Sequence, residues 1–335
     1  MTSLVIQTAF LGDVVLTTPL LAALAERDGP VDVVTTPAAA PLLETHPAVR
    51  RVIAYDKNGR EGGLPALLRL ARRLRAEGYE AAYLPHRSLR TAALAWLARI
   101  PRRVGFHDGW PALYTVVRRR PAEGHEIDRL LALGDAAPGA APTLTLTRPD
   151  RAAADALLHD AGVGRPFVAL APGSIWGSKR WPGYAELGAA LARRGVAVVA
   201  VGSAADAALG EEIVAAVRAA GGNAASACGR LTLRATAALI GRAAALVTND
   251  SAPLHVAQAV GTPTVAIFGP TVPAFGFGPR GPHDRAIGVD GLACRPCHRH
   301  GPPTCPLGHH LCMKSLRVAE VLLAIEETGA LRRRD

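Results

Sequence analysis

The chain has 335 residues, 49% of them hydrophobic, which is more than one core usually organises, so two domains are expected. Its 38 basic residues against 28 acidic ones leave a formal charge of +10 and favour anionic partners. Aromatics are only 4% and no basic run is interleaved with them, which argues against a base-stacking surface and so against nucleic acid. No apolar stretch reaches membrane-span length without a charge, and the start, MTSLVIQTAFLGD, lacks a signal peptide's basic region. Of the five cysteines, four crowd between Cys294 and Cys312, which is not a secreted disulfide framework. A soluble, cytoplasmic protein is expected.

In chain order, residues 4–6 read as a buried strand, 7–12 as a loop and 13–26 as a helix with Leu16, Leu20 and Leu24 on one face. Gly12 and Asp13 then fall at the strand-to-helix turn, where a carboxylate either caps the helix or faces a cleft. Residues 31–35, 51–54, 81–84 and 103–106 read as strands, with helices over 64–77, 89–98 and 125–133. Strand and helix alternating in this way imply a parallel sheet covered on both faces. Lys57, Arg60, Arg87, Arg90, Arg102 and Arg103 sit in loops at presumed strand ends, as a solvated face or as anion contacts. The segment GDAAPGAAP, 134–142, is the best linker candidate.

The same alternation restarts with a helix over 151–161, a strand over 167–171, and further elements at 185–193, 196–201, 206–219 and 233–240. The stretch that organises this half is AALVTNDSAPLHVAQAVGTPTVAIFGP, 244–270. It reads as strand 244–248, a helix over 254–260 stopped by Gly261, and strand 264–268. Asp250, Ser251 and His255 are thereby brought to the carboxyl ends of parallel strands, and the helix start there offers amide donors suited to phosphate. The loop PGSIWGSKRWP, 172–182, adds glycines, Ser174, Ser178, Lys179 and Arg180. It is not a Walker A loop, but it has the parts to hold a diphosphate. Gly202 followed by Asp206 is a weak ribose signal, and the dinucleotide fingerprint is absent, which argues against a nicotinamide enzyme.

LGDVVLTTP, YEAAYLPHRSLRTA then IPRRVGF, PGSIWGSKRWP, TNDSAPLHVA, FGPT and CRPC…CPLGHHLCM together resemble the glycosyltransferase family 9 heptosyltransferases, most of all their heptosyltransferase II branch. Six stretches in the family's order, from Leu4 to about Leu316, carry the likeness. It implies the α/β GT-B architecture, with two Rossmann-like parallel-sheet domains facing across a cleft. Residues 1–148 would bind the acceptor and 149–335 the nucleotide sugar, with the last helix packing back on the N-terminal domain. It further implies inverting transfer from ADP-heptose to a heptose hydroxyl of the lipopolysaccharide inner core, with no cofactor required. Asp13 would be the base and Lys179 the phosphate contact. Ser174, Asp206, Asp250, Ser251, Ala252 and His255 would complete the donor site. Ala252 stands where the family usually has glycine, which narrows the pocket if that position needs φ > 0. An anionic core acceptor and peripheral contact with the inner membrane follow from the same resemblance and the +10 charge. A GT-B epimerase or hydrolase, or a non-catalytic nucleotide-sugar-binding protein, remains the alternative. Cys294, Cys297, Cys305 and Cys312, spaced C-x2-C-x7-C-x6-C with histidines between them, suit a structural zinc site, free thiols under a lid, or adventitious disulfides.

Overall fold

The computed structural model describes residues 2–331. The chain divides into two compact units, Met1–Thr145 and Leu146–Asp335. The first holds strands β1 (Ser3–Ile6), β2 (Val31–Thr35), β3 (Val49–Ala54), β4 (Ala81–Leu84), β5 (Arg102–Phe106) and β6 (Val116–Arg118), ordered β3-β2-β1-β4-β5-β6 and all parallel. Its helices are α1 (Leu11–Asp28), α2 (Ala40–Leu43), α3 (Leu64–Ala76), α4 (Leu89–Leu97) and α5 (Glu126–Leu133). β1, β2 and β4 are buried along their whole length, as near-continuous apolar runs demand when helices cover both faces.

The second unit repeats the plan. Strands β7 (Phe167–Ala171), β8 (Ala197–Ala200), β9 (Ala224–Ser226), β10 (Ala245–Asn249), β11 (Thr264–Ile267) and β12 (Arg285–Ile287) lie in the order β12-β11-β10-β7-β8-β9, again parallel. Helices α6 (Arg148–Asp160), α7 (Tyr184–Arg193), α8 (Ala207–Ala219), α9 (Leu233–Ile240), α10 (Ala252–Val260), α11 (Leu311–Lys314) and α12 (Val318–Glu327) complete it. Counted within each unit, both sheets have the doubly wound order 3-2-1-4-5-6, whose direction reverses between strands one and four. Ligands of such sheets bind at that reversal, outside the carboxyl ends of the strands. Here it lies between β1 and β4 in one unit and between β7 and β10 in the other.

One boundary differs from the sequence expectations. Helix α1 starts at Leu11 rather than at Asp13, because the Asp13 carboxylate accepts the Phe10 amide (3.2 Å) and so closes the first turn instead of preceding it. Pro19 lies well inside this helix, and Thr18 Oγ1 donates to the Val15 carbonyl (2.8 Å), the acceptor that Pro19 cannot serve. The buried face of α12, Val321, Leu322, Ala324 and Ile325, joins the core of its own unit and packs on α7, β11 and β12.

Candidate active site

In the second unit the reversal point is built from two loops. The 172–182 loop leaves β7, and Asp250 follows β10 directly. Lys179 is only 7% exposed, and its Nζ donates to Asp250 Oδ2 (2.6 Å) and to the Asp250 carbonyl (3.1 Å). Thr271 Oγ1, from the loop after β11, donates to the same carboxylate oxygen (2.7 Å). The resemblance made Lys179 the phosphate contact and Asp250 a separate donor-site residue. The structure joins them in one buried ion pair, because β7 and β10 are hydrogen-bonded neighbours.

Asn249 is a residue that the sequence analysis did not single out. Its Oδ1 accepts the Trp181 amide (3.1 Å), and its Nδ2 donates to the carbonyls of Pro172 (2.9 Å) and Gly173 (3.3 Å). Both ends of the 172–182 loop are therefore tied to the end of β10. Asn249→Ala strands a buried N–H and a buried C=O, each costing about 1–3 kcal/mol. We expect the denaturation midpoint to fall and ADP affinity to drop with it, by calorimetry. An unchanged midpoint would show that the loop holds itself.

The other expected donor residues divide. Ser251 is the N-cap of α10 and Ala252 its first residue, both half-buried, and Pro253 behind them contributes no N–H. Among the described residues the non-glycines with positive φ are Arg99, Asp135 and His310, so helical backbone accommodates Ala252 and the methyl group forces no strain. Ser174 Oγ accepts the Trp176 amide (3.2 Å), a turn-forming contact within its own loop. Asp206 Oδ2 accepts from the Ser203 amide (2.9 Å) and hydroxyl (2.7 Å), capping the helical turn before α8, and the carboxylate lies over Gly173. His255 is buried, with Nδ1 against Gln258 Oε1 (3.1 Å) and its ring tilted toward Phe277.

In the first unit the β1–α1 turn carries Asp13. Half-buried by surface area yet densely surrounded by protein, its carboxyl is pushed up to about 6. Burial is the main cause and the Glu126 charge the second, while the Phe10 amide and Arg120 pull the other way. Glu126, at the start of α5, is itself held by Arg120 on both oxygens and by Arg129 (3.5 Å). Neither Glu126 nor Arg120 was picked out from sequence, since their proximity to Asp13 depends on α5 packing beside α1. Across the reversal point, after β4, the buried His86 Nδ1 has no hydrogen-bond partner. Burial, with Lys57 and Arg87 nearby, lowers this imidazole to about 4, so it is neutral at pH 7. Lys57 Nζ reaches Thr8 Oγ1 (3.4 Å). Two of the loop arginines are internal braces rather than anion contacts. Arg90 binds Tyr55 and the carbonyls of Glu61 and Gly63, and Arg103 binds the carbonyls of Ile100 and Leu113.

The cysteine segment packs on the 172–182 loop. Ser178 Oγ donates to the Pro302 carbonyl (2.5 Å), and His310 Nε2 contacts the Ser178 carbonyl (2.6 Å). Gly301 (φ 87°) lies so close that a Cβ there would come within 2.9 Å of Lys179 Cε. Cys294, Cys297, Cys305 and Cys312 are free thiols. Burial pushes the Cys312 thiol up to about 11, with Cys297, Cys305 and Cys294 adding to it. Among the described residues no three His, Cys, Asp or Glu side chains are placed to hold a metal ion, so the geometry does not carry the zinc expectation.

A family model described as glycosyltransferase family 9 (heptosyltransferase) matches residues 67–306. Lipopolysaccharide heptosyltransferase 2 of Salmonella typhimurium is 30% identical over 300 residues, 81% of this chain and 84% of that protein. The chain belongs to glycosyltransferase family 9. The family's fold is equally plain in solved structures. ADP-heptose lps heptosyltransferase II of E. coli aligns over 98% of both chains with a TM-score of 0.80 at 26% identity. A family 9 transferase from Veillonella parvula aligns over 98% of this chain and 96% of its own, with a TM-score of 0.85 at 24% identity. The two Rossmann-like units of this family 9 chain are thus those of the GT-B fold, as the motifs implied. No described helix is long and apolar enough to cross a membrane.

Proposed function

We propose that the chain moves heptose from ADP-heptose to a heptose hydroxyl of a lipopolysaccharide inner core, with inversion at the anomeric carbon. The observation that carries this reading is the buried Lys179–Asp250–Thr271 group at the second unit's reversal point, in a chain whose relatives are named heptosyltransferase 2. The diphosphate competes with Asp250 for Lys179. Once the lysine turns to phosphate, the Asp250 carboxylate is left to accept sugar hydroxyls, with Thr271 keeping it in place. The acceptor oxygen bonds to the anomeric carbon as the bond to the diphosphate breaks. The proton passes to Asp13, and the charge leaves on ADP. Lys179 and the α10 start at Ser251 and Ala252 meet that charge, so transfer by this route requires no cofactor. Asp13, held near 6, is ionised at neutral pH yet basic enough to take a proton. Neutral His86 is placed to accept a hydroxyl hydrogen of the acceptor. The protein acts on the cytoplasmic side of the inner membrane, bound peripherally.

The test is ADP release with ADP-heptose and a heptose-bearing core oligosaccharide, each alone and together, with and without a chelator. Release only when both are present, at a rate the chelator leaves unchanged, is expected. Release from the donor alone would indicate a hydrolase, and no release with tight ADP binding would indicate a non-catalytic binding protein.

A further inference from the structure

Between residues 62 and 107 the chain carries nine arginines against two glutamates, Glu77 and Glu80, so most of the +10 charge originates there. The stretch folds into β4, β5 and the neighbouring helices α3 and α4, which pack against each other over one core. The buried side of α3 is Ala66, Leu67, Leu70, Ala71 and Leu74. Helical spacing puts Arg69 and Arg72 at the centre of its opposite, exposed side, flanked by Arg73 and Arg75. None of these four takes part in an ion pair among the described residues. On α4 the buried side is Thr91, Ala92, Leu94 and Ala95, and the outward stripe is Leu89, Ala93 and Trp96. Leu89 is 49% exposed, Trp96 51%, and Leu64 at the start of α3 64%.

Two parallel-sheet helices side by side thus show water a row of unpartnered guanidiniums beside a stripe with an exposed indole. An acidic peptide or nucleic acid would use the charges but leave the leucines and Trp96 wet. An anionic lipid surface uses both, since arginines meet phosphate headgroups while Trp and Leu settle at the interfacial level. In a parallel sheet the starts of α3 and α4 lie at the same carboxyl edge as the β1–α1 turn that carries Asp13. A bilayer on this face would hold a lipid-anchored acceptor near that edge. We infer that the exposed face of α3 and α4 is the docking surface of this protein for an anionic phospholipid bilayer. This rests on the reading of the chain as a transferase with a lipid-linked acceptor.

The experiment uses the full chain with phosphatidylglycerol-containing vesicles and with phosphatidylcholine vesicles, by co-sedimentation. Binding to the first alone is expected, weakening as salt rises. The triple charge reversal Arg69→Glu, Arg72→Glu, Arg73→Glu should lower partitioning about a hundredfold or more. The conservative Trp96→Phe, which keeps charge and fold, should remove tryptophan quenching by brominated lipid. Turnover on a soluble, lipid-free core oligosaccharide should match the unaltered chain in both variants. Partitioning of the triple variant equal to the unaltered chain, quenching that survives Trp96→Phe, or stronger retention on duplex nucleic acid than on vesicles would overturn the docking surface. Failure of the unaltered chain to turn over the soluble acceptor would instead overturn the transferase reading, with the vesicle results deciding the surface independently.

Discussion

Replacing Asp13 with Asn is expected to lower turnover by about 10²–10⁴-fold, the usual contribution of a general base, while making the protein more stable above pH 6. The carboxyl is raised from 3.8 to about 6 in the folded chain, so its ionised form is disfavoured there relative to the unfolded chain. Below pH 3.8 the group is protonated in both states and contributes no difference. Between 3.8 and 6 the unfolded chain gives up its proton first, and folding stability declines as pH rises. Above 6 the penalty is complete, about 3 kcal/mol at most for a shift of this size. Asparagine carries no such charge, so the variant gains stability only on the high-pH side. Wild-type turnover should climb through pH 6 as the base becomes available, and ADP affinity should be the same in both proteins. Near-normal turnover of the variant removes Asp13 from the mechanism. Equal melting curves for the two proteins at pH 8 would show that the carboxylate is not held at a cost.

Lys179→Ala should be the most damaging single change in the second unit. On the proposed reading it deletes a charge-assisted contact to diphosphate, about 1.5–3 kcal/mol of ADP affinity. It also leaves Asp250, largely buried, short of its main partner, and breaking a buried pair costs about 3–5 kcal/mol of stability. The two losses are separable. Adding Asp250→Asn to Lys179→Met should restore most of the melting temperature, since no charge is then left unpaired, but none of the ADP affinity. If Lys179→Ala binds ADP with the original dissociation constant at low salt, the loop is a structural one and the donor site lies elsewhere.

The strands buried on both faces were legible because burial forces continuous apolar runs, as in LVI, VDVVT and FVALA. The three-residue edge strands β6, β9 and β12, VVR, AAS and RAI, were not, because three residues are too few to make such a run. Loop chemistry was legible one stretch at a time. PGSIWGSKRWP announced a lysine among glycines and hydroxyls, and TNDS a carboxylate at a helix start. That the two meet is a property of strand order, which brings residues 71 positions apart into one ion pair. The same gap concealed Glu126 and Arg120 beside Asp13. His255 and Asp206, both expected at the donor site, each have a partner three residues away that no reading of a single stretch revealed: Gln258 for the first and Ser203 for the second.

The clamp on the 172–182 loop has a bearing on how the protein is made. Ser178 is fastened by Pro302 and His310, and Trp181 by the Leu316 carbonyl, partners 124 to 135 residues further along. Both sheets are already encoded once Ile287 has been added. Synthesis proceeds from the N-terminus and units fold as they emerge, so the second sheet can form while its lysine loop still lacks its outer support. The proposed donor site is then the last part of the molecule to be finished. A chain that stops short after β12 lacks these partners and also the buried face of α12 that completes the core of its unit, so stability and ADP affinity are both expected to fall.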